Sequence, residues 1–221
     1  ANGQTVAYRE EIEDEAFSGG TMAVERTQTV YGARGQISGY RENRTDLHGV
    51  TTEKIVSDLS YNGQNQMLTS VERTVLNLNG VQDETVVRRL ATGYDVLGRM
   101  DRYEEETTSS GIETVVRTNW RADAFNAAGT VSQDQTRSRF SEPGVLGGSY
   151  TRTVNRSDVQ YNRFGQVLAY AEDSADSRSP DLSTRRNIEN LTYDSMGTVS
   201  EQKETTWVSG SVEGDPSSLM E

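Results

Sequence analysis

The sequence predicts an all-β protein built as an array of antiparallel β-hairpins, and three observations lead to this fold class. A short phrase recurs along the chain at a nearly constant spacing, which is typical of a repeat architecture. The residues around each phrase alternate between apolar and polar, as in strands with one buried face. Hydrophobic residues are only 33% of the 221 residues, too few for a thick two-layer core. Together these observations favour a thin, heavily solvated sheet that curls or spirals.

The recurring phrase consists of an aromatic residue, usually Asn or Asp, two variable residues, Gly, a polar residue and an apolar one. It begins at Tyr31, Tyr61, Tyr94, Phe125, Tyr161 and Tyr193. These aromatic residues are 30, 33, 31, 36 and 32 positions apart, which gives a period of about 32 residues. Residues 3–10 align without gaps on residues 35–42, so a further partial copy opens the chain. We expect residues 1–221 to form a single array of six to seven hairpin units, incomplete at both ends.

Each phrase is predicted to form a hairpin turn. Asn or Asp hydrogen-bonds its own backbone two residues further on, and the following Gly supplies a positive φ at low steric cost. In the copy that starts at Tyr61, Asn65 stands where this Gly belongs. Looser Gly, Ser and Pro punctuation midway between phrases predicts a second turn, so one repeat holds two strands of roughly eleven or twelve residues.

Two irregular features are assigned to loops or to a mixture of strand and loop. The three prolines, Pro143, Pro180 and Pro216, are expected outside the strands, where no ladder hydrogen bond is lost. The stretch from Glu10 to Phe17 contains helix-forming residues but occupies a strand-end position in the repeat. We therefore predict strand and loop there, and little or no helix in the chain.

Two positions of the repeat are expected to form rows across the sheet. The second residue after the turn Gly is apolar in six of seven copies and predicts an apolar stripe. The fifth residue is Tyr in four of seven copies, lies on the opposite face because of its odd spacing, and predicts a partial tyrosine ladder. The first row is Thr5, Ile37, Met67, Met100, Val131, Val167 and Val199; the second is Tyr8, Tyr40, Ser70, Tyr103, Asp134, Tyr170 and Gln202.

Composition disfavours several classes of function. The net charge of −12, from 34 acidic and 22 basic residues, argues against nucleic acid as a partner, because nucleic-acid binding requires a basic stripe. The chain has no cysteine, hence no disulfide and no thiolate nucleophile. No run of about 18 apolar residues is present, so no membrane-spanning helix is predicted.

Residues capable of site chemistry are few, and none is predicted to be catalytic, cofactor-binding or metal-ligating. His48, the only histidine, is expected to be a solvated loop residue, because histidine-based triads and metal clusters need further partners. Three acidic runs, Glu10–Glu15, Glu104–Glu106 and Glu172–Asp176, suit calcium in principle or a carboxylate pair. A solvated acidic edge partly paired with Arg is the favoured interpretation, and repetition itself disfavours a single active site.

Surface chemistry leaves two smaller alternatives. Trp120 and Trp207 suit sugar binding, although they more often cover the apolar face of a sheet. The triplets at Asn43, Asn155 and Asn190 match the glycosylation signal at a frequency near chance.

The phrase Tyr94-Asp95-Val96-Leu97-Gly98-Arg99-Met100 resembles the YD repeat of RHS proteins. The phrases from Tyr161 and Tyr193 are close variants, although the period of about 32 residues exceeds the family's period of about 20, and Arg follows the Gly only at Arg99. The resemblance implies hairpins coiled into a long spiralling sheet that forms a hollow shell. It also implies a large secreted or surface-exposed protein whose activity lies in a separate terminal domain.

These observations lead to a structural role as the predicted function: the wall of a filament, tube or RHS-like shell in an extracellular or cell-surface protein. Neighbouring repeats or copies of the same chain are the expected partners. The alternative is an adhesin-like stalk that binds glycan or calcium through its repeated tyrosine and acidic rows. An enzyme is not predicted.

Overall fold

The computed structural model describes residues 4–13, 21–46, 49–78, 80–110, 112–141, 148–193 and 198–210. These residues form thirteen β-strands and no helix, which confirms the predicted all-β class. The strands are β1 (Tyr8–Glu13), β2 (Thr21–Tyr31), β3 (Ile37–Thr45), β4 (Thr51–Tyr61), β5 (Met67–Leu78), β6 (Val81–Tyr94), β7 (Met100–Ser109), β8 (Ile112–Phe125), β9 (Val131–Ser141), β10 (Ser149–Tyr161), β11 (Val167–Asp176), β12 (Ser179–Tyr193) and β13 (Val199–Gly210).

The strands follow one another across a single sheet in the order of the sequence, from β1 to β13. Neighbours are antiparallel, as in the registers of β2 with β3 and of β11 with β12. Each predicted phrase joins an incoming even-numbered strand to an outgoing odd-numbered one. Sequential antiparallel pairing of this kind is the arrangement expected of a hairpin array, so the fold class is confirmed.

Contacts divide the chain into two compact units. The first comprises Ala1–Thr92 and Glu104–Val116, and the second comprises Gly93–Tyr103 and Arg117–Glu221. The first therefore contains β1 to β5 and most of β6. The second contains β9 to β13 and the C-terminal part of β8.

The phrase turns that the structure describes share one backbone hydrogen-bonding pattern. In the turn that follows Tyr161, the Asn162 amide donates to the Gln166 carbonyl at 2.9 Å and the Gly165 amide donates to the Asn162 carbonyl at 3.1 Å. Oδ1 of Asn162 accepts from the amides of Phe164 and Gln166 at 2.9 and 3.0 Å. Gly165 has φ +80°, and Asn65 adopts φ 65° in the copy that lacks this Gly. The predicted roles of Asn and Gly are thus present.

Four incoming strands contain a β-bulge three residues before the phrase aromatic. The residues at this position are Gln28, Asp58, Asp158 and Asn190, and their φ angles are 52°, 53°, 56° and 55°. The pairing register shifts next to each of them. As a result Ile188 and Leu191 are both buried, although an odd spacing in a regular strand would place them on opposite faces.

Burial is sparse. Among the residues whose burial the structure describes, the buried apolar side chains are Val56, Val75, Trp120, Val159, Ala171, Ile188 and Leu191. The predicted apolar stripe is not among them: Ile37 and Val167 are half-buried, whereas Met100 and Val199 are exposed. The core therefore lies mainly on the incoming strands, and the stripe contributes through its backbone, as described below.

Two sequence expectations about local structure have different outcomes. Pro180 lies inside a strand, as the second residue of β12, because Asp176 pairs with Ser179 across a tight turn. A proline at the start of a strand costs little, since the ladder has only begun there. Pro143 and Pro216 lie outside the described residues. Residues 10–13 of the stretch from Glu10 to Phe17 are strand, as predicted, and its remainder lies outside the described residues.

Candidate functional site

A tyrosine hydroxyl connects each of several phrases to the repeat that precedes it. Tyr31 donates to the carbonyl of Thr5, Tyr61 to that of Ile37, Tyr161 to that of Val131 and Tyr193 to that of Val167, at 2.7, 2.8, 2.8 and 2.7 Å. Every acceptor is the second residue after the turn Gly, the position predicted to form the apolar stripe. We call this contact the tyrosine clasp. It joins residues 24 to 30 positions apart and fixes successive repeats in one register.

The clasp at Tyr161 lies in a partly buried setting. Burial raises the pKa of the Tyr161 hydroxyl; the positive charge of Arg156 opposes this shift and the negative charge of Asp134 adds to it. The hydroxyl is therefore held in its protonated, donating form at neutral pH, as the hydrogen bond to Val131 requires.

The polar residue after the turn Gly bonds the phrase's own Asn or Asp. Nδ2 of Asn162 donates to Oε1 of Gln166 at 2.7 Å, and Asn62 donates to Gln66 in the same way at 2.6 Å. Where the phrase carries Asp95, the partner is Arg99, whose Nε donates to Oδ2 of the carboxylate at 2.7 Å. In these three turns an amide thus bonds an amide and a carboxylate bonds a guanidinium.

Arg99 also takes part in the contact with the next repeat. That repeat begins with Phe125, which has no hydroxyl with which to form a clasp. The guanidinium carbon of Arg99 lies 3.9 Å from the centre of the Phe125 ring, within the range of a cation–π contact. A different interaction, made by the residue just before the usual acceptor position, therefore connects the two repeats where the tyrosine is missing.

Ion pairs recur at the seventh residue after the turn Gly or its substitute. Glu42 accepts from Arg26 at 2.7 Å, Glu72 from Lys54 at 2.7 Å and Glu105 from Arg89 at 2.8 Å. Glu172 and Glu204 lie 3.5 and 3.7 Å from Arg186. Burial opposes the charged form of Lys54, but the hydrogen bond to Glu72 and the charges of the neighbouring acidic groups together outweigh burial and raise the pKa of Lys54. The favoured interpretation of the acids as partly paired with Arg agrees with this row.

The repeat that contains β9 departs from this pattern. Its fifth residue after the Gly is Asp134 instead of Tyr, and its seventh is Thr136 instead of Glu. Asp134 is only 2% exposed and accepts three hydrogen bonds from Arg156, the shortest at 2.7 Å. Burial opposes the charge of Arg156, but the hydrogen bond to Asp134 and the charge of that carboxylate, with smaller effects of Tyr161 and Tyr170, together outweigh burial and raise the pKa of Arg156.

The predicted tyrosine ladder is instead a set of mixed contacts. The guanidinium of Arg26 lies over the rings of Tyr8 and Tyr40, with 5.2 and 4.1 Å to their centres. Tyr103 stacks on Trp120 with 5.2 Å between ring centres. The tyrosines of the row therefore contact Arg or Trp from the incoming strands, because the strand between two tyrosines supplies the neighbouring side chain.

The distal end of the second unit contains a stack of three side chains. The rings of Phe140 and Tyr150 are parallel, with 4.4 Å between their centres. The guanidinium of Arg178 covers Tyr150 at 3.5 Å and also pairs with Asp176. Both faces of the Tyr150 ring are therefore occupied.

Beside this stack lies an open groove of about 630 Å³. It is lined by Arg117, Asn119, Arg137, Arg139, Ser149, Tyr150, Thr151 and Ser177. The strands β8, β9 and β10 supply all of these residues except Ser177. Three arginines in one groove are unexpected in a chain with net charge −12, and the groove is the candidate functional site of the molecule.

The residues that the sequence offered as candidate sites lie in different parts of the chain. His48 lies outside the described residues, as do Asp14 and Glu15. Within the described ranges, no group of three His, Cys, Asp or Glu side chains is placed to hold a metal ion. Trp120 is buried, as expected of a residue that covers the sheet, whereas Trp207 is 49% exposed on β13. Asn43, Asn155 and Asn190 all lie in strands.

Sequence reasoning missed the groove because its arginines belong to two different strands, β8 and β9. The sequence contained one signal of the groove. When the repeat copies are aligned, positions that hold an acidic residue in other repeats hold Thr or Arg around β9. No protein-family profile, curated protein or solved structure matches the chain. No helix in the described part of the chain is long and apolar enough to cross a membrane.

Proposed function

We propose that this chain is a structural repeat segment that forms the wall of a filament, tube or RHS-like shell in an extracellular or cell-surface protein. The tyrosine clasp carries the proposal. Tyr61 contacts Ile37 and Tyr193 contacts Val167 through the same atoms, so one interaction is repeated along the array. Repetition of a contact between neighbours is how solenoid and array proteins obtain stability.

The charges support the same role. The row of pairs that includes Arg26–Glu42 and Arg89–Glu105 joins adjacent strands within each unit and adds cross-strand attraction along the sheet. The resemblance of the Tyr94 phrase to the YD repeat is consistent with a wall, as is the acidic net charge of −12, which limits unspecific association. Neighbouring repeats or further copies of the chain are the proposed partners.

Excision of one whole repeat tests the structural role. Deletion of residues 32–61 joins Tyr31 to Asn62 and preserves both the phrase and the strand alternation. We expect this shortened chain to fold cooperatively, to lose stability in proportion to one repeat, and to form a sheet shorter by about 10 Å. Chemical denaturation and cryo-electron microscopy of the full-length parent protein with the same deletion measure these effects.

A second experiment tests whether the protein lies outside the cell or on its surface. Antibodies against the chain should label intact cells of the source, or particles released from them, without permeabilisation. A shortened chain that is unfolded, or labelling only after permeabilisation, contradicts the proposal. So does a parent assembly whose dimensions are unchanged by the deletion.

A further inference from the structure

The two units contain an equivalent pair of strand positions with different charges. In the first unit, two hydrogen bonds of 2.8 Å join Glu84 and Ser110. The Ser110 amide donates to the Glu84 carbonyl, and the Glu84 amide donates to Oγ of Ser110. In the second, Thr151 makes the same two bonds with Ser177, both at 2.9 Å. Glu84 and Thr151 are therefore structurally equivalent.

Glu84 and Thr151 lie directly opposite Val75 and Arg139, and the arginines two residues before these partners are equivalent as well. Arg73 and Arg137 are each the eighth residue after the turn Gly or its substitute. Arg73 pairs with Glu84 at 2.6 Å and lies 4.0 Å from Glu53. Its hydrogen bond to Glu84 raises the pKa of Arg73 and lowers that of Glu84. In the first unit the guanidinium is thus neutralised by the chain itself.

Arg137 lacks both of these acids. Thr151 replaces Glu84, and Arg117 occupies the position that Glu53 holds, eight residues before the phrase aromatic. A further arginine, Arg139, lies two residues along β9 and pairs across the sheet with Thr151. Among the described residues neither Arg137 nor Arg139 forms an ion pair, and both are exposed.

We propose that the groove around Arg137 and Arg139 binds the carboxylate or sulfate groups of an acidic oligosaccharide. The ligand supplies the negative charge that Glu84 supplies in the equivalent position of the first unit. Arg137 and Arg139 lie on one face of β9 with their Cα atoms about 7 Å apart, given two residue rises in a strand. Arginine binds oxyanions through paired, charge-assisted hydrogen bonds, so two arginines suit two acidic groups.

The remaining lining favours a sugar over a protein segment. Asn119, Ser149, Thr151 and Ser177 place amide and hydroxyl groups around the arginines, and these can hydrogen-bond sugar hydroxyls. Protein interfaces usually centre on an aromatic or aliphatic anchor in an apolar pocket. The only aromatic residue of the groove, Tyr150, already has Phe140 on one face and Arg178 on the other.

A short acidic chain also fits the overall charge better than nucleic acid does. A net charge of −12 repels a long polyanion at distances comparable with the Debye length. An oligosaccharide confined to the groove avoids much of this repulsion, because only its acidic groups next to the arginines enter the local positive field. The inference is independent of the structural role proposed above, since a chain with or without that role can carry such a groove.

Calorimetric titration of the whole chain tests the site with four probes: hexagalacturonate for carboxylate, a heparin-derived hexasaccharide for sulfate, neutral maltohexaose, and hexaglutamate as an acidic peptide. We expect binding of at least one acidic sugar, at least tenfold weaker binding of maltohexaose and hexaglutamate, and weakening with added salt. The R137Q/R139Q variant should lose at least tenfold in affinity for that sugar. R73Q, at the equivalent paired position, should bind as the unmodified chain does.

A second variant blocks the groove without removing an arginine. T151E places a carboxylate where Glu84 stands in the first unit, so it should pair with the arginines and abolish sugar binding while the chain stays folded by circular dichroism. Q64E, at an exposed turn of the first unit, makes the same change in net charge and should bind normally. Absence of binding to both acidic sugars, equal loss in R73Q, or normal binding in T151E overturns the assignment. Hexaglutamate binding as tightly as the sugar overturns the sugar as ligand.

Discussion

The hydroxyl of Tyr61 donates a 2.8 Å hydrogen bond to the carbonyl of Ile37, 24 residues earlier in the chain. Tyr61 opens one phrase, and Ile37 is the second residue after the turn Gly of the phrase before it. The bond therefore uses a side chain from one repeat and a backbone group from the previous one. Because the same geometry returns at Tyr161 with Val131, the period of the sequence reflects a contact between repeats as well as a turn.

Tyr61→Phe removes the donor of this clasp and keeps the ring. We expect the free energy of unfolding to fall by about 1 kcal/mol, the usual net value of a hydrogen bond in a partly buried setting. Chemical denaturation followed by circular dichroism measures the change. The matched control is Tyr40→Phe, because Tyr40 contacts Arg26 through its ring; its effect should stay within about 0.5 kcal/mol. Equal losses in the two variants would show that the clasp adds nothing.

The turn that contains Asp95 should respond to acid, whereas its amide counterpart should not. Desolvation acts to raise the pKa of Asp95, but the hydrogen bonds from Arg99 and Leu97 outweigh it and hold the pKa below its ordinary value. The turn is therefore stabilised above the unfolded pKa of about 3.9, and this contribution is lost as pH falls through the lower, folded pKa.

Amide hydrogen exchange between pH 5 and pH 2, corrected for intrinsic rates, measures this difference. Protection of the Arg99 amide, which donates to Oδ1 of Asp95, should decrease at the acid end. Protection of the Gln166 amide, which donates to Asn162, should follow only the global stability of the sheet. Asp95→Asn should remove the additional pH dependence at Arg99. An unchanged pH profile in that variant would contradict the assignment.

The pair between buried Asp134 and half-buried Arg156 should be costly to break and inexpensive to replace. Arg156→Ile leaves the carboxylate of Asp134, 2% exposed, without its three hydrogen bonds, and we expect a loss of about 3 kcal/mol. The equivalent cross-strand pair near the C-terminus is Tyr170 with Ile188. The double variant Asp134→Tyr/Arg156→Ile imports that pair and should recover most of the loss. Denaturation of four proteins, the unmodified chain, Asp134→Tyr, Arg156→Ile and the double variant, measures the coupling, and additive effects would contradict it.

Much of the fold follows from the sequence because the turn chemistry is local. Asn162 and Gly165 are needed by the turn whatever surrounds them, and their recurrence gives the strand order. The faces could not be assigned in the same way. Asn190 adopts φ 55°, and this single residue shifts the alternation so that Ile188 and Leu191 are both buried. Reading alternate residues from the turn therefore placed the core on the wrong positions.

The groove was unpredictable for a related reason. Arg137 and Arg139 alternate with polar residues, as any solvated strand does, and Thr151 is unremarkable by itself. Alignment on the phrase aromatic matches Thr151 with Glu84, and the shared serine contacts agree, but only the register shows that Thr151 pairs with Arg139. The register of the strands decides which charged residues lie opposite one another. A sequence whose repeats vary in length does not reveal that register.

The bulge at Asn190 gives the last prediction. Asn tolerates the left-handed backbone conformation, whereas a β-branched residue there has its Cβ too close to the backbone, at a cost of about 1–2 kcal/mol. We expect Asn190→Val to lower the free energy of unfolding by this amount, and Asn190→Gly to change it by less than about 0.5 kcal/mol, because Gly adopts positive φ freely. Denaturation of both variants measures the difference. Because the Asn190 side chain is exposed, loss of burial does not explain a difference in stability between the two variants. Equal stability of the Val and Gly variants would mean that the bulge relaxes into a regular strand.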